Sequence, residues 1–299
     1  MPDVQQAPPD FAQANGMRLC YDTFGAADAA PLLLIMGLGA QMVAWDDAFC
    51  SQLAARGYRV IRFDNRDIGL SSHLSAAGVP DVAAAIGATL QGRPVAAPYL
   101  LRDMADDAVG LLDALGIASA HVVGASMGGA IAQTLAIHHP TRLRSLTSIM
   151  ATSGAPGLPG PTPAAMAVLL KPTPTDWDGY LAGFQRTWKV LRAGSFPDDE
   201  ARDASRAKLN FTRGLNPAGV ARQMVAILAS GSRRAPLAVV RVPTLVIHGD
   251  ADPLVPLACG MDTAQAVPGA KLVVVKAMGH ALPISMWPTV IDAIASHAV

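Results

Sequence analysis

His121-Val-Val-Gly-Ala125-Ser126-Met127-Gly-Gly-Ala-Ile-Ala-Gln-Thr-Leu-Ala-Ile-His138 is the stretch on which the fold turns. It opens with a short apolar run that fits a buried strand and closes with a longer one that fits a helix. Between them Gly124-Ala-Ser126-Met-Gly128 is a G-x-S-x-G. Small residues two before and two after the serine let a chain reverse sharply from strand into helix, so that the hydroxyl projects beyond the sheet edge. In that setting Ser126 is expected to be a nucleophile, whereas the same letters in a surface turn would carry no chemistry.

The flanking sequence extends the alternation in both directions. Phe11–Ala14 and Met17–Phe24 flank Asn15-Gly16, the dipeptide of a tight hairpin turn. The apolar runs Pro31–Met36 and Tyr58–Phe63 predict strands on either side of a helix from Ala44 to Ala55. Leu101, Met104, Ala108, Leu111, Leu112 and Leu115 recur at three- and four-residue spacing and predict an amphipathic helix. Another strand is expected over Leu143–Met150. Short buried strands separated by helices predict an α/β fold with a parallel sheet covered on both faces.

That rhythm stops at the Pro/Gly-rich segment Gly154-Ala-Pro-Gly-Leu-Pro-Gly-Pro161. Helical pieces follow over Ala164–Leu170, Trp177–Leu191, Asp199–Leu209 and Pro217–Ser230, with no strand among them. Strands resume at Thr244–His248 and Lys271–Lys276, with helices over Ala258–Ala266 and Trp287–His297. The expected division is a core of residues 1–152 and 236–299 interrupted by a helical cap, 153–235.

Composition narrows the function. Across 299 residues, 23 Lys and Arg balance 23 Asp and Glu, so the chain lacks the electrostatic footprint of a nucleic-acid binder. With 51% hydrophobic and 15% charged residues it can bury a large core. Its most apolar stretches, Ala29–Ala40 and His121–Ile137, are interrupted by Pro, Gly, Ser or Gln, and no membrane span is expected. Met1–Asn15 lacks the pattern of a secretory signal, and Cys20, Cys50 and Cys259 form no C-x-x-C pair. A cytoplasmic protein with buried thiols is the expectation.

A serine hydroxyl is a weak nucleophile at neutral pH and needs a histidine base oriented by an acid. After this type of turn the chain order is serine, acid, histidine. His248, His280 and His297 come late enough. His248 precedes any plausible acid and His297 lies in the terminal helix, which leaves His280, on the loop after Lys271–Lys276. For the acid, Gly249-Asp250-Ala-Asp252-Pro253 offers two carboxylates. Asp252 is preferred, because Asp250 follows the turn glycine directly and is expected to face solvent or tie the loop by an Asx-type bond. The single glutamate, Glu200, falls in the cap. Backbone donors for an oxyanion are expected from Met127, at the start of the helix, and from Leu38 in Gly37-Leu38-Gly39. Gly37-Leu38-Gly39 makes a poor dinucleotide fingerprint, since Met42 stands where the third small residue belongs.

Taken together, Leu33–Gly39, Phe63-Asp-Asn-Arg-Asp-Ile-Gly-Leu-Ser71, Gly124–Gly129, Gly249–Asp252 and Met278-Gly-His-Ala-Leu-Pro283 resemble the α/β-hydrolase superfamily, and within it the aclacinomycin methylesterase type. The resemblance covers the chain from about Asn15 to its end and is weakest in the cap. It implies an eight-stranded, mostly parallel sheet, a helical lid between the sixth and seventh strands, and Ser126, Asp252 and His280 as a triad. Two positions depart from the wider pattern. Met36-Gly37 replaces the commoner His-Gly of the oxyanion loop, and Asp67 replaces a commoner Gly. Asp64 and Arg66 are expected to tie loops together.

The adjacent His138 and His139 point apart at a helix end, so no metal site and no cofactor are expected. Trp177, Tyr180, Phe184 and Trp188 recur at helical spacing in the cap and are candidates for the pocket wall, although such a stripe also serves as a buried helix face. The expected activity is hydrolysis, by a serine esterase, of neutral, mainly apolar carboxylic esters. Lactone cleavage, C–C bond hydrolysis and perhydrolysis use the same residues on this fold, and a receptor that has lost turnover is the alternative outside catalysis. A serine at position 126 argues strongly against carboxylate-nucleophile epoxide hydrolases and dehalogenases. The oligomeric state is not legible from the sequence.

Overall fold

Asn15 and Gly16 both take positive φ (49° and 75°), the geometry of a two-residue hairpin turn. They fold β1 (Gln6–Ala14) onto β2 (Met17–Phe24) in a computed structural model that describes residues 6–194 and 200–299. The chain continues through β3 (Ala30–Ile35), α1 (Asp47–Ala54), β4 (Tyr58–Phe63), α2 (Val82–Leu90), α3 (Leu101–Ala114), β5 (Ala120–Ala125), α4 (Met127–His138) and β6 (Leu143–Ile149). Next come α5 (Pro163–Leu169), α6 (Trp177–Leu191), α7 (Glu200–Arg213), α8 (Pro217–Ser230) and the short α9 (Arg234–Leu237). Then β7 (Thr244–Gly249), α10 (Leu257–Ala266), β8 (Lys271–Val275) and α11 (Trp287–His297) complete the order.

The eight strands form one sheet in the order β1-β2-β4-β3-β5-β6-β7-β8. Only β2 runs against its neighbours; β4, β3, β5, β6, β7 and β8 are parallel. Side chains alternate across a strand, and β3 shows both faces buried. Leu33 and Ile35 pack with Leu101, Met104 and Ile131 of α3 and α4, while Leu32 and Leu34 pack with Phe49, Val290 and Ile291 of α1 and α11. Strand order reverses at β3, whose sequence neighbour β4 lies on one side and β5 on the other. Such a switch opens a crevice at the carboxyl ends of the strands.

Three differences from the sequence expectations have local causes. The helix expected from Ala44 begins at Asp47, because the Asp46 carboxylate caps it by accepting from the Ala48 amide at 2.9 Å. β1 extends further toward the N-terminus than the hairpin pattern suggests, with a register break between Ala7 and Asp10 at two prolines that have no N–H to pair. α2 carries no expectation at all: its sequence, Val-Ala-Ala-Ala-Ile-Gly-Ala-Thr-Leu, is apolar all round and shows no stripe. The residue at which the third cap helix was expected to start, Asp199, lies outside the described residues. Among them, no helix is long and apolar enough to cross a membrane.

Buried histidines tie stability to pH. His121 is 4% exposed, with Nδ1 2.9 Å from Ser145 Oγ. Burial, together with the charges of Arg144 and His297, lowers its pKa to about 4. His248 is fully buried, and burial lowers its pKa as well. Both are neutral in either state above the ordinary histidine pKa of about 6.5. Below it the unfolded chain takes up protons that the folded chain refuses, so stability falls from pH 6.5 toward 4. Each group contributes at most about 1.4 kcal/mol per pH unit in that window. Urea titrations at pH 7.5, 6 and 5 should show a falling midpoint, and a rising one would contradict this assignment.

Candidate active site

The turn after β5 is built by close approach. A Cβ on Gly124 would overlap the carbonyl oxygen of Gly128, and one on Gly128 would overlap that of Ile35 in β3. With both positions bare, α4 starts against the strand ends and Ser126 is held at φ 57°, ψ −121°, a conformation rare for a residue with a side chain. Ser126 is half-buried at the carboxyl edge of the sheet.

Asp252 follows β7 and His280 follows β8, at the same edge. β8 lies three strands from β5, about 14 Å at the usual strand spacing, so the later loops must lean back across the sheet. They do. His280 Nε2 is 2.9 Å from Ser126 Oγ, and His280 Nδ1 is 2.8 Å from Asp252 Oδ2. The histidine and the acid are each 6% exposed. Asp252 Oδ1 accepts from the amides of Leu254 and Val255 at 2.9 and 2.8 Å, which fixes the carboxylate and leaves Oδ2 for the imidazole. Asp250 is exposed, and its Oδ1 accepts from the Ala277 amide at 2.6 Å. It therefore joins the acid loop to the histidine loop rather than forming an Asx turn. Behind Asp252, His248 donates from Nε2 to the Val255 carbonyl at 2.7 Å. Its Nδ1 faces Gly260 and has no partner among the described residues.

The loop after β3 runs beside the serine: a Cβ on Gly37 would stand 3.0 Å from Ser126 Cβ and 3.5 Å from its Oγ. Leu38 and Met127, the expected backbone donors, both line the cavity above Ser126. As the first residue of α4, Met127 has no intrahelical acceptor for its N–H. The loop is fixed from two sides. Asn65 Nδ2 donates to the Met36 carbonyl at 2.9 Å, and the Gly39 amide donates to Gln223 Oε1 at 2.9 Å. Gln223 is a fully buried residue of α8 whose Nε2 donates to the Arg66 carbonyl. Sequence reasoning missed Gln223, since nothing in the spacing links positions 39 and 223.

The helices between β6 and β7 are tied to the edge of the core. Asp64 accepts from the amides of Met42 and Leu70 and pairs with Arg213 of α7 at 2.5 Å. Asp67, at φ 71°, pairs with Arg222 of α8 through both carboxylate oxygens (2.6 and 2.8 Å) and accepts from Tyr99 Oη and the Leu74 amide. Burial pushes the Asp67 carboxyl up, but Arg222, Leu74 and Tyr99 together hold it below the usual range. Arg66 pairs with Asp107 of α3. At the end of α6 the Leu191 carbonyl accepts from the backbone amide of His280 at 2.7 Å, so this helix is bonded directly to the histidine loop.

These elements line a cavity of about 1140 Å³ that includes Ser126 and His280 in its wall. Tyr180, Phe184 and Trp188 line it, but Trp177 does not. The Trp177 ring packs edge-on to Phe211 at 5.5 Å, with the Lys208 ammonium 4.9 Å above it. One turn of α6 therefore serves packing while the next three face the cavity. The wall is also more charged than the sequence suggests, because Arg206, Arg202, Asp46, Glu200 and Asp203 are among the residues that line it. Among the described residues, no group of three or more His, Cys, Asp or Glu side chains is arranged to hold a metal ion.

Residues 30–285 match the model of the alpha/beta hydrolase fold family. The chain is 32% identical over 289 residues to rhodomycin D methylesterase DauP of Streptomyces sp. (strain C5), covering 90% of each. It is 30% identical over 277 residues to a 2-hydroxymuconate semialdehyde hydrolase of Pseudomonas sp. (strain CF600), covering 89% of this chain and 85% of the relative. A hydrolase from Pseudomonas aeruginosa PA01 superposes with a TM-score of 0.69 at 27% identity, covering 99% of this chain and 98% of the other. The chain belongs to the alpha/beta hydrolase fold family, where it stands with the carboxylic ester hydrolases.

Proposed function

We propose that this chain is a serine hydrolase that cleaves carboxylic esters of small to medium, mainly apolar molecules through an acyl-enzyme. The observation that carries the proposal is the His280 imidazole, in hydrogen-bond reach of Ser126 Oγ on one side and Asp252 Oδ2 on the other. In this scheme His280 takes the proton as Ser126 Oγ attacks the ester carbonyl. Asp252 holds the ring with Nδ1–H toward itself and stabilises the imidazolium. The amides of Met127 and Leu38 receive the charge that develops on the carbonyl oxygen. His280 then gives its proton to the departing alcohol. Water, activated by the same imidazole, releases the acid. Residues 153–235 act as the lid over this centre, and Tyr180, Phe184 and Trp188 supply its apolar wall.

A phosphonate directed at active serines should label the native protein at Ser126 and leave Ser126→Ala unlabelled. Nitrophenyl esters of increasing acyl length should be hydrolysed in step with labelling. Tight ligand binding without labelling or turnover would make the protein a receptor instead. The second reading, C–C bond hydrolysis, is favoured by the 30% identity to 2-hydroxymuconate semialdehyde hydrolase. It predicts turnover of vinylogous diketones that exceeds turnover of matched esters.

A further inference from the structure

Arg206 lies on the face of α7 that forms part of the cavity wall. Its guanidinium carbon sits 4.6 Å from the centroid of the Trp188 ring and 5.8 Å from that of Phe184, both of which line the same cavity. Ring faces attract the charge but offer no lone pair to its five N–H donors. Among the described residues the Arg206 side chain makes no hydrogen bond and no ion pair. The nearby carboxylates are committed elsewhere: Asp46 pairs with Arg202 at 2.8 Å, and Asp203 pairs with Arg192 through both oxygens. Burial, with Arg202 close by, lowers the Arg206 pKa to about 10, which still leaves it a cation at neutral pH.

A planar fork of donors that faces a largely apolar cavity, flanked by aromatic rings and with no ion-pair partner among the described residues, is a geometry that suits a carboxylate. A neutral acceptor could satisfy the hydrogen bonds but not the charge. We propose that Arg206 is an anion-recognition residue of the substrate pocket, and that the esters cleaved here carry one carboxylate at the end of an otherwise apolar body. This deepens the serine-esterase proposal and rests on it. The carboxylate binds against the lid while the ester carbonyl lies at Ser126, so Arg206 selects substrates and takes no part in bond breaking.

Two matched series test this. Mono-4-nitrophenyl esters of adipic, suberic and sebacic acid are compared with counterparts whose free acid is capped as a primary amide. Butyrate esters of ω-hydroxy acids are compared likewise with their amides, which places the charge on the alcohol side. In the native protein at least one acid should exceed its amide in kcat/KM by about tenfold. Arg206→Gln should bring the acid-to-amide ratio of kcat/KM, read within that variant, down to about one, and Arg206→Lys should retain part of the preference. If no acid outpaces its amide in either series, or if Arg206→Gln slows acids and amides alike, the assignment is overturned. Should the protein hydrolyse no ester and resist the phosphonate, the serine-esterase proposal fails, and a binding measurement decides the subsite by itself. In Ser126→Ala, suberic acid monoamide should quench tryptophan emission through Trp188. Loss of that signal on adding Arg206→Gln supports the subsite, and an unchanged or absent signal rejects it.

Discussion

Replacing Ser126 with alanine is expected to lower ester turnover by about 10⁴- to 10⁶-fold, with little change in stability. The size follows from what each group does. Without the hydroxyl no acyl-enzyme forms, and what remains is the positioning and oxyanion stabilisation that the proposed Met127 and Leu38 donors would offer to direct attack by water. The fold should tolerate the change, because Ser126 is half-buried and its hydroxyl bonds to His280 alone among the described residues. Alanine keeps the Cβ that already accepts φ 57°. Asp252→Asn should cost about 10³- to 10⁴-fold, because an amide at that position favours the wrong imidazole tautomer. Steady-state rates on a nitrophenyl ester, with a denaturant titration of each variant, check both expectations. Ser126→Ala retaining a tenth of native turnover would remove the covalent mechanism.

How much of this was visible in the sequence depends on whether one residue's role forces the next. The turn at Ser126, read as a nucleophile turn, did so. G-x-S-x-G between a strand and a helix demands a later acid and a later histidine at the same sheet edge, and only a few positions qualified. The pairs that tie α7 and α8 to the core had no such chain of necessity. Asp64 meets Arg213 and Asp67 meets Arg222 across about 150 residues, and Arg and Asp are common on solvated helix faces. Their burial, rather than their identity, marks them, and burial is set by tertiary packing. The same reason hid Gln223 and Arg206. The aromatic stripe of α6 shows the limit in one element: helical spacing found the four rings but could not tell that Trp177 turns toward Phe211 while Trp188 faces the cavity. α2 went unread because an alanine-rich helix packed through Ala85 and Ala88 shows no apolar face to detect.

Asp67→Gly is expected to destabilise the fold by about 3–5 kcal/mol. Glycine is the commoner residue here in the resembling family, and it relieves the positive φ of Asp67 (71°). If backbone strain outweighed the ion pair, the change would stabilise the protein by about 1 kcal/mol or less. The carboxylate argues the other way. Arg222 is 1% exposed, and Asp67 accounts for two of the three bonds its guanidinium makes, the third going to the Gly78 carbonyl at 2.6 Å. Removing the acid leaves a buried cation without its counter-charge and the Tyr99 hydroxyl without its acceptor. Pairing Asp67→Gly with Arg222→Met should restore much of the loss, because removing both charges also removes the desolvation penalty. Activity should respond too. Arg222 and Gln223 are neighbours on α8, and Gln223 holds the Gly39 amide beside the proposed Leu38 donor. Loosening α8 should therefore lower kcat as well as stability, and the double variant should recover stability more fully than kcat. Denaturant midpoints and ester kinetics on the two single variants and the double would test this. A stabilised Asp67→Gly would show instead that the left-handed backbone, and not the salt bridge, governs the junction of α8 with the core.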